Sequence, residues 1–108
     1  MRVENMTSRN GNKIANQFVI TSNDGNVITF QSYASEIATI DWNHRTITIG
    51  RDWDYSTTTG KYRNLFFDEY FHILNTKKAI QVFHDLKDDN GEIFYDTKDG
   101  HRWTIKFA

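Results

Sequence analysis

The chain has 108 residues, which is room for one domain and not two. Thirteen basic and 14 acidic residues leave a net charge of -1, a balance that suits neither a strongly basic nucleic-acid binder nor a strongly acidic nucleic-acid mimic. Cysteine and proline are both absent, which excludes disulfides, zinc-thiolate sites, thiol catalysis, proline-rich linkers and PxxP ligands.

Hydrophobic residues make up only 38% of the chain, but aromatics reach 15%. Large rings bury enough area to build a core from that modest total. No apolar run approaches the ~18 residues of a membrane helix. The start, Met1 to Asn5, is polar and lacks the apolar centre of a secretion signal, so a cytoplasmic location is expected.

Residues 1–13 are rich in Asn, Ser, Thr and Gly and read as a frayed lead-in. Residues 14–33 read as a hairpin with a three-residue loop at Asn23-Asp24-Gly25. That register pairs Phe18 with Phe30 and Ile20 with Ile28, all on one face. A second hairpin follows over 36–50, with a tight turn at Asn43-His44 pairing Ile40 with Ile47 and Ala38 with Ile49. Residues 51–60 are a polar and aromatic connection. Tyr62, Leu65, Phe66, Tyr70 and Ile73 then share a helical stripe, widened by Phe67, Phe71 and Leu74. Asn75-Thr76 interrupts it, and Thr76 caps a second helix marked by Ala79, Ile80, Phe83 and Leu86, which ends at Asn90-Gly91. A last hairpin turns at Lys98-Asp99-Gly100, pairing Tyr95 with Trp103 and Ile93 with Ile105, and setting Asp96 against Arg102. The expected fold class is therefore α+β: one domain over 1–108, an antiparallel sheet of about six strands in hairpins, and two helices inserted before the last hairpin and packed on one face.

Chemistry-bearing motifs are sparse. Asp88-Asp89-Asn90-Gly91 resembles part of a calcium loop, but Leu86 and Thr97 stand where the first carboxylate and the bidentate Glu belong. The four His residues show no metal-ligand spacing. No nucleophile elbow, P-loop or dinucleotide fingerprint occurs, so no catalytic, cofactor or metal site is expected and the chain does not read as an enzyme. Two surfaces stand out for binding. Trp53 and Tyr55 border a run of hydroxyls that leads to Lys61, Tyr62 and Arg63, a mixture able to anchor a partner or stack on a nucleic-acid strand. Asp88, Asp89 and Glu92 lie in an acidic stretch from Asp85 to Asp99 that can imitate phosphate charge. Lys77 and Lys78 open the second helix, where the dipole disfavours positive charge.

Ala15 to Ile20, Phe30-Gln31-Ser32-Tyr33, Trp53-Asp54-Tyr55-Ser56 with its Thr run, Gly60 to Asn64, and Phe66-Phe67 come in this order. In this series the chain resembles a family of short uncharacterised proteins of phages and mobile elements of low-GC Gram-positive bacteria. The likeness covers roughly the first two thirds, and the stretch after Phe71 is particular to this chain. The resemblance implies a phage accessory protein that works by binding in the host cytoplasm. The leading expectation is an anti-CRISPR-like inhibitor of a host defence nuclease, such as a CRISPR nuclease, by steric block or charge mimicry. A small nucleic-acid-binding accessory protein using Lys61, Tyr62, Arg63, Lys77 and Lys78 is the second. A structural homodimer pairing an edge strand is the third.

Overall fold

Alternating Ile and Thr residues build the centre of the molecule. In a computed structural model covering residues 1–108, β4 (Ser35–Asp41) and β5 (Thr46–Ile49) pair antiparallel, Ala38 against Ile49 and Ile40 against Ile47, as their alternation predicts. The positive φ of their turn falls on Arg45 and not on Asn43. The final hairpin also has the expected register: β6 (Glu92–Asp96) sets Tyr95 against Trp103 and Ile93 against Ile105 of β7 (Arg102–Phe107). Asp96 and Arg102 make a two-point ion pair on the outer side, at 2.8 and 3.2 Å.

With β1 (Arg2–Thr7), β2 (Lys13–Thr21) and β3 (Val27–Ser32), seven strands form one sheet in the order β1-β2-β3-β4-β5-β7-β6. The α+β class holds, with three differences from expectation. First, the lead-in is not frayed: Arg2–Thr7 forms an edge strand, β1, on β2 (Lys13–Thr21). Its side chains are mostly exposed, so it carries no apolar alternation to announce it. Second, β2 and β3 (Val27–Ser32) pair one residue away from the expected register, Phe18 with Gln31 and Val19 with Phe30. The Asp24 carboxylate explains this. It accepts from the Ser22 hydroxyl at 2.6 Å and the Asn26 amide at 2.9 Å, and its other oxygen accepts from Asn43 at 3.0 Å. Asn26 is thereby drawn into the loop, which spans four residues, and Phe18 and Ile20 move to the opposite sheet face from Ile28 and Phe30. Third, β5 and β7 are parallel, Ile47 beside Ile105. Parallel neighbours need a long crossover, and both helices lie in it.

Helix α1 (Thr57–Tyr70) starts earlier than the stripe suggests and is capped by Ser56, whose hydroxyl accepts from the Thr59 amide at 3.1 Å. A 3-10 turn (His72–Leu74) follows, and Thr76 caps α2 (Lys77–Leu86) as expected. On the stripe, Phe66 and Phe67 are fully buried, whereas Leu65 is exposed and Arg63 is buried in its place. The helices cover one sheet face. Rings join across this interface from Phe30–Phe66 through Phe66–Tyr70, Tyr70–Trp42 and Trp42–Trp103 to Trp103–Phe71, with centroids 4.8 to 6.4 Å apart.

One tight crossing fixes the end of the sheet. Ile37 is an extra residue in β4, opposite the Phe30–Gln31 step, and this bulge turns it inward beside Ala38. Gly50 passes directly over the bulge and donates to the Ile37 carbonyl at 2.8 Å. A Cβ on Gly50 would stand 2.2 Å from the Glu36 carbonyl oxygen. Gly50→Ala should therefore lower stability by ~2 kcal/mol or more in urea denaturation, because backbone has to move.

Acid sensitivity follows from the turns. Hydrogen bonds from Ser22, Asn26 and Asn43 pull the Asp24 carboxyl from its ordinary 3.8 down to about 2. Bonds from His44 lower Asp41, Arg102 lowers Asp96, and Thr97 lowers Asp99. A depressed carboxylate stabilises the fold above its ordinary value and loses that contribution as pH falls through the folded one. Thermal midpoints should fall from pH about 4 to about 2, and Asp24→Ala should flatten part of that slope.

Candidate functional site

The β3–β4 turn, the β5–α1 connection, the start of α1, the end of α2 and the start of β6 all gather at one end of the sheet. Gly50 sends the chain into a turn closed by the Trp53 amide on the Gly50 carbonyl at 3.1 Å. Trp53 folds inward as its size favours. Its ring lies 6.1 Å from His84 of α2, and His84 in turn packs edge-on to Phe107 at 5.2 Å. The Phe107 amide bonds to the Gly91 carbonyl in the acidic turn at 2.8 Å. The two surfaces singled out in the sequence, Trp53 to Arg63 and Asp88 to Glu92, thus share this end, with His84 packed between them.

Tyr55 differs from Trp53. It is 74% exposed and flanks a pocket of about 480 Å3 opposite Tyr33. Tyr33 occupies the two-residue β3–β4 turn with φ of 55° and is 54% exposed. A bulky residue in the left-handed region carries strain, of a kind found at binding sites. Buried Ile37 closes the pocket from below, and the hydroxyls of Ser35, Ser56 and Thr58 ring it. Two exposed rings around a small pocket with hydroxyls at its rim are suited to gripping a protruding side chain or segment of a partner. The sequence reading missed Tyr33. The signal was an aromatic at the tip of a turn between two strands, where no core contact is available.

Behind the pocket the packing is polar. The Ser32 and Thr59 hydroxyls bond at 3.0 Å, fully buried. Gln17, opposite Ser32 in β2, is buried with neither amide atom paired. Arg63 is 1% exposed, and not the outward-facing side chain expected. Its guanidinium donates to the Trp53 carbonyl at 2.7 Å and to the Asn64 side chain at 2.8 and 3.2 Å, and lies over the Trp53 ring. Burial pushes the Arg63 guanidinium below its ordinary pKa, partly offset by Asp54. Tyr62 is half-buried against the core, while Lys61 is exposed and reaches over the Tyr62 ring.

In the acidic turn, Asp88 is occupied: its carboxylate accepts from the Asn90 and Glu92 amides at 2.9 and 3.0 Å and holds the turn. Asp89 is exposed and carries no such duty, and Glu92 is half-buried on the open sheet face. No group of three or more His, Asp or Glu lies close enough to hold a metal ion. No helix is long and apolar enough to cross a membrane.

These features define the class: a small α+β domain, with helices on one face of a seven-stranded sheet and a pocket among the loops at one end. Residues 1–82 match the family of unknown function DUF8033, and the chain belongs to it. No curated protein and no solved structure matches the chain.

The polar layer has a testable sign. Gln17→Met keeps the volume and removes two unpaired buried polar atoms, so it should raise stability by ~1 kcal/mol, whereas Thr59→Val, which strands the Ser32 hydroxyl, should lower it by 1 to 2, roughly. Chemical denaturation of both variants reads the two signs.

Proposed function

We propose that this protein acts by binding and not by catalysis, and that it blocks a host defence nuclease of the CRISPR type in the cytoplasm of the host cell. The observation that carries the reading is the placement of two unlike surfaces at the same end of the sheet, with the packed chain Trp53, His84 and Phe107 between them. Exposed Tyr33 and Tyr55 flank an anchor pocket. Asp89 and Glu92, with Asp85 nearby on α2, present negative charge beyond His84. An apolar anchor beside an acidic patch matches a basic nucleic-acid channel with an aromatic-lined or apolar rim. The anchor supplies residence time and the charge supplies approach. Arg63 and Asp88 serve the fold of this end and take no part in the contact.

The test is DNA cleavage by a purified CRISPR nuclease with increasing amounts of this protein. Dose-dependent inhibition is expected. Tyr33→Ala with Tyr55→Ala should weaken it about tenfold or more, the loss of a central anchor. Asp89→Lys with Glu92→Lys should slow association and leave folding intact. Full cleavage across the nucleases of the host at large excess of the protein removes the reading. Inhibition that survives both double variants removes the surface.

A further inference from the structure

On the far side of Ser56 from the tyrosine pocket lies a second cleft, of about 570 Å3, with no apolar side chain in its lining. Lys61, Arg63 and Lys77 converge on it, and Asp54 is its one carboxylate. Arg63 is shut away from water at 1% exposure. Three of its N–H donors are used, on Trp53 and Asn64. A guanidinium has five, and Asp54 Oδ1, 3.9 Å from Nη1, is too far to accept either of the others. A desolvated cation with idle donors is costly unless an acceptor reaches it. Lys77 Nζ holds the other Asp54 oxygen at 3.0 Å, and Asp54 is itself 40% exposed. Lys61 has a tyrosine ring beneath it and no carboxylate partner. Neither helix places an acidic residue in its first turn, although lysines lie there or close by.

We infer that this cleft binds a phosphoryl group, held by the idle Arg63 donors and by the Lys61 and Lys77 ammonium groups, with the Ser56 and Thr57 hydroxyls at its edge. A fixed planar fork, two point cations and hydroxyls match a tetrahedral dianion with several acceptor oxygens better than a flat carboxylate. Asp54 occupies the cation-rich position in the free protein, and the phosphoryl group displaces it from Lys77. The site does not depend on the inhibitor reading. The same chemistry is offered by a free nucleotide or phosphate and by a nucleic-acid backbone.

Inorganic phosphate and AMP are titrated into isotope-labelled protein at low salt and followed through backbone amide resonances. Saturable shifts are expected at Thr57, Gly60, Lys61, Asn64 and Lys77. Lys61→Gln with Lys77→Gln should weaken binding about tenfold or more, with the remaining spectrum preserved. Asp54→Asn should tighten it, the opposite sign, because it removes the internal competitor. Lys106→Gln, a distant surface change, should do nothing. An oligonucleotide without a terminal phosphate that binds more tightly than AMP assigns the group to a nucleic-acid backbone, and the reverse order assigns it to a free phosphoryl ligand. Shifts that never saturate, that follow Lys13, Lys98 and Lys106 equally, or that are indifferent to Asp54→Asn overturn the site.

Discussion

The parallel pairing of β5 with β7 constrains everything else. Ile47 and Ile105 are fully buried side by side, so the centre of the core is made by two strands that run the same way. A hairpin cannot join such strands. The intervening chain must leave the end of β5 and reach the opposite end of the sheet before β7. The α1 helix, the 3-10 turn and α2 pack over one face and return to the starting end, and β6 then runs the length of the sheet to the turn of the last hairpin. Helices on one face only, an uncovered opposite face and a loop-rich end at Gly50 are consequences of that single connection. The candidate site is built where the crossover begins. The first residues after β5 stand beside the β3–β4 turn and beneath the end of α2.

That end is held by polar contacts more than by apolar ones. The Arg63 guanidinium ties α1 to the Trp53 carbonyl and lies over its ring, joining the helix to the connection before it. Ser32 and Thr59 tie the same helix to β3. Buried polar links of this kind contribute little net stability and much definition of geometry. The unpaired amide of Gln17 shows the cost side of the arrangement. A core selected for stability alone would carry an apolar residue there, which is why the substitution test is expected to stabilise.

The sequence makes some of this legible and hides the rest for physical reasons. The β4–β5 and β6–β7 hairpins are readable because one face of each is fully apolar, so only one register buries it. The β2–β3 register is not, because Gln17 and Thr21 face the covered side and Phe18 and Ile20 the open one. The deciding interaction there is a carboxylate bond network from Asp24 to Asn43, far along the chain. Strand β1 is hidden because an edge strand needs backbone partners and no apolar face. The Thr76 cap is readable because it directly precedes the second helical pattern, whereas the Ser56 cap is hidden because the apolar stripe of α1 begins only at Tyr62. Of the residues singled out for binding, Tyr55, Lys61 and Asp89 stand exposed as expected, whereas Arg63 is buried and Asp88 holds its own turn. No local pattern separates a buried arginine from an exposed one when its partners are a backbone carbonyl and a neighbouring amide.

The family match ends at residue 82, inside α2, yet the physical domain does not end there. A chain stopping at that point would leave the outer edge of β5 unpaired and Ile47 and Ile49 without Ile105 and Trp103 beside them. The tyrosine pocket and the cationic cleft lie wholly within the matched part, while the acidic turn lies wholly outside it. The last hairpin therefore has two separable roles in this chain. Its inner face, with Ile93, Tyr95, Trp103 and Ile105, completes the core that positions the matched surfaces. Its leading turn, through Asp89 and Glu92, adds a charge beside them that the core does not require, and a residue free of structural duty is where selection for a partner can act.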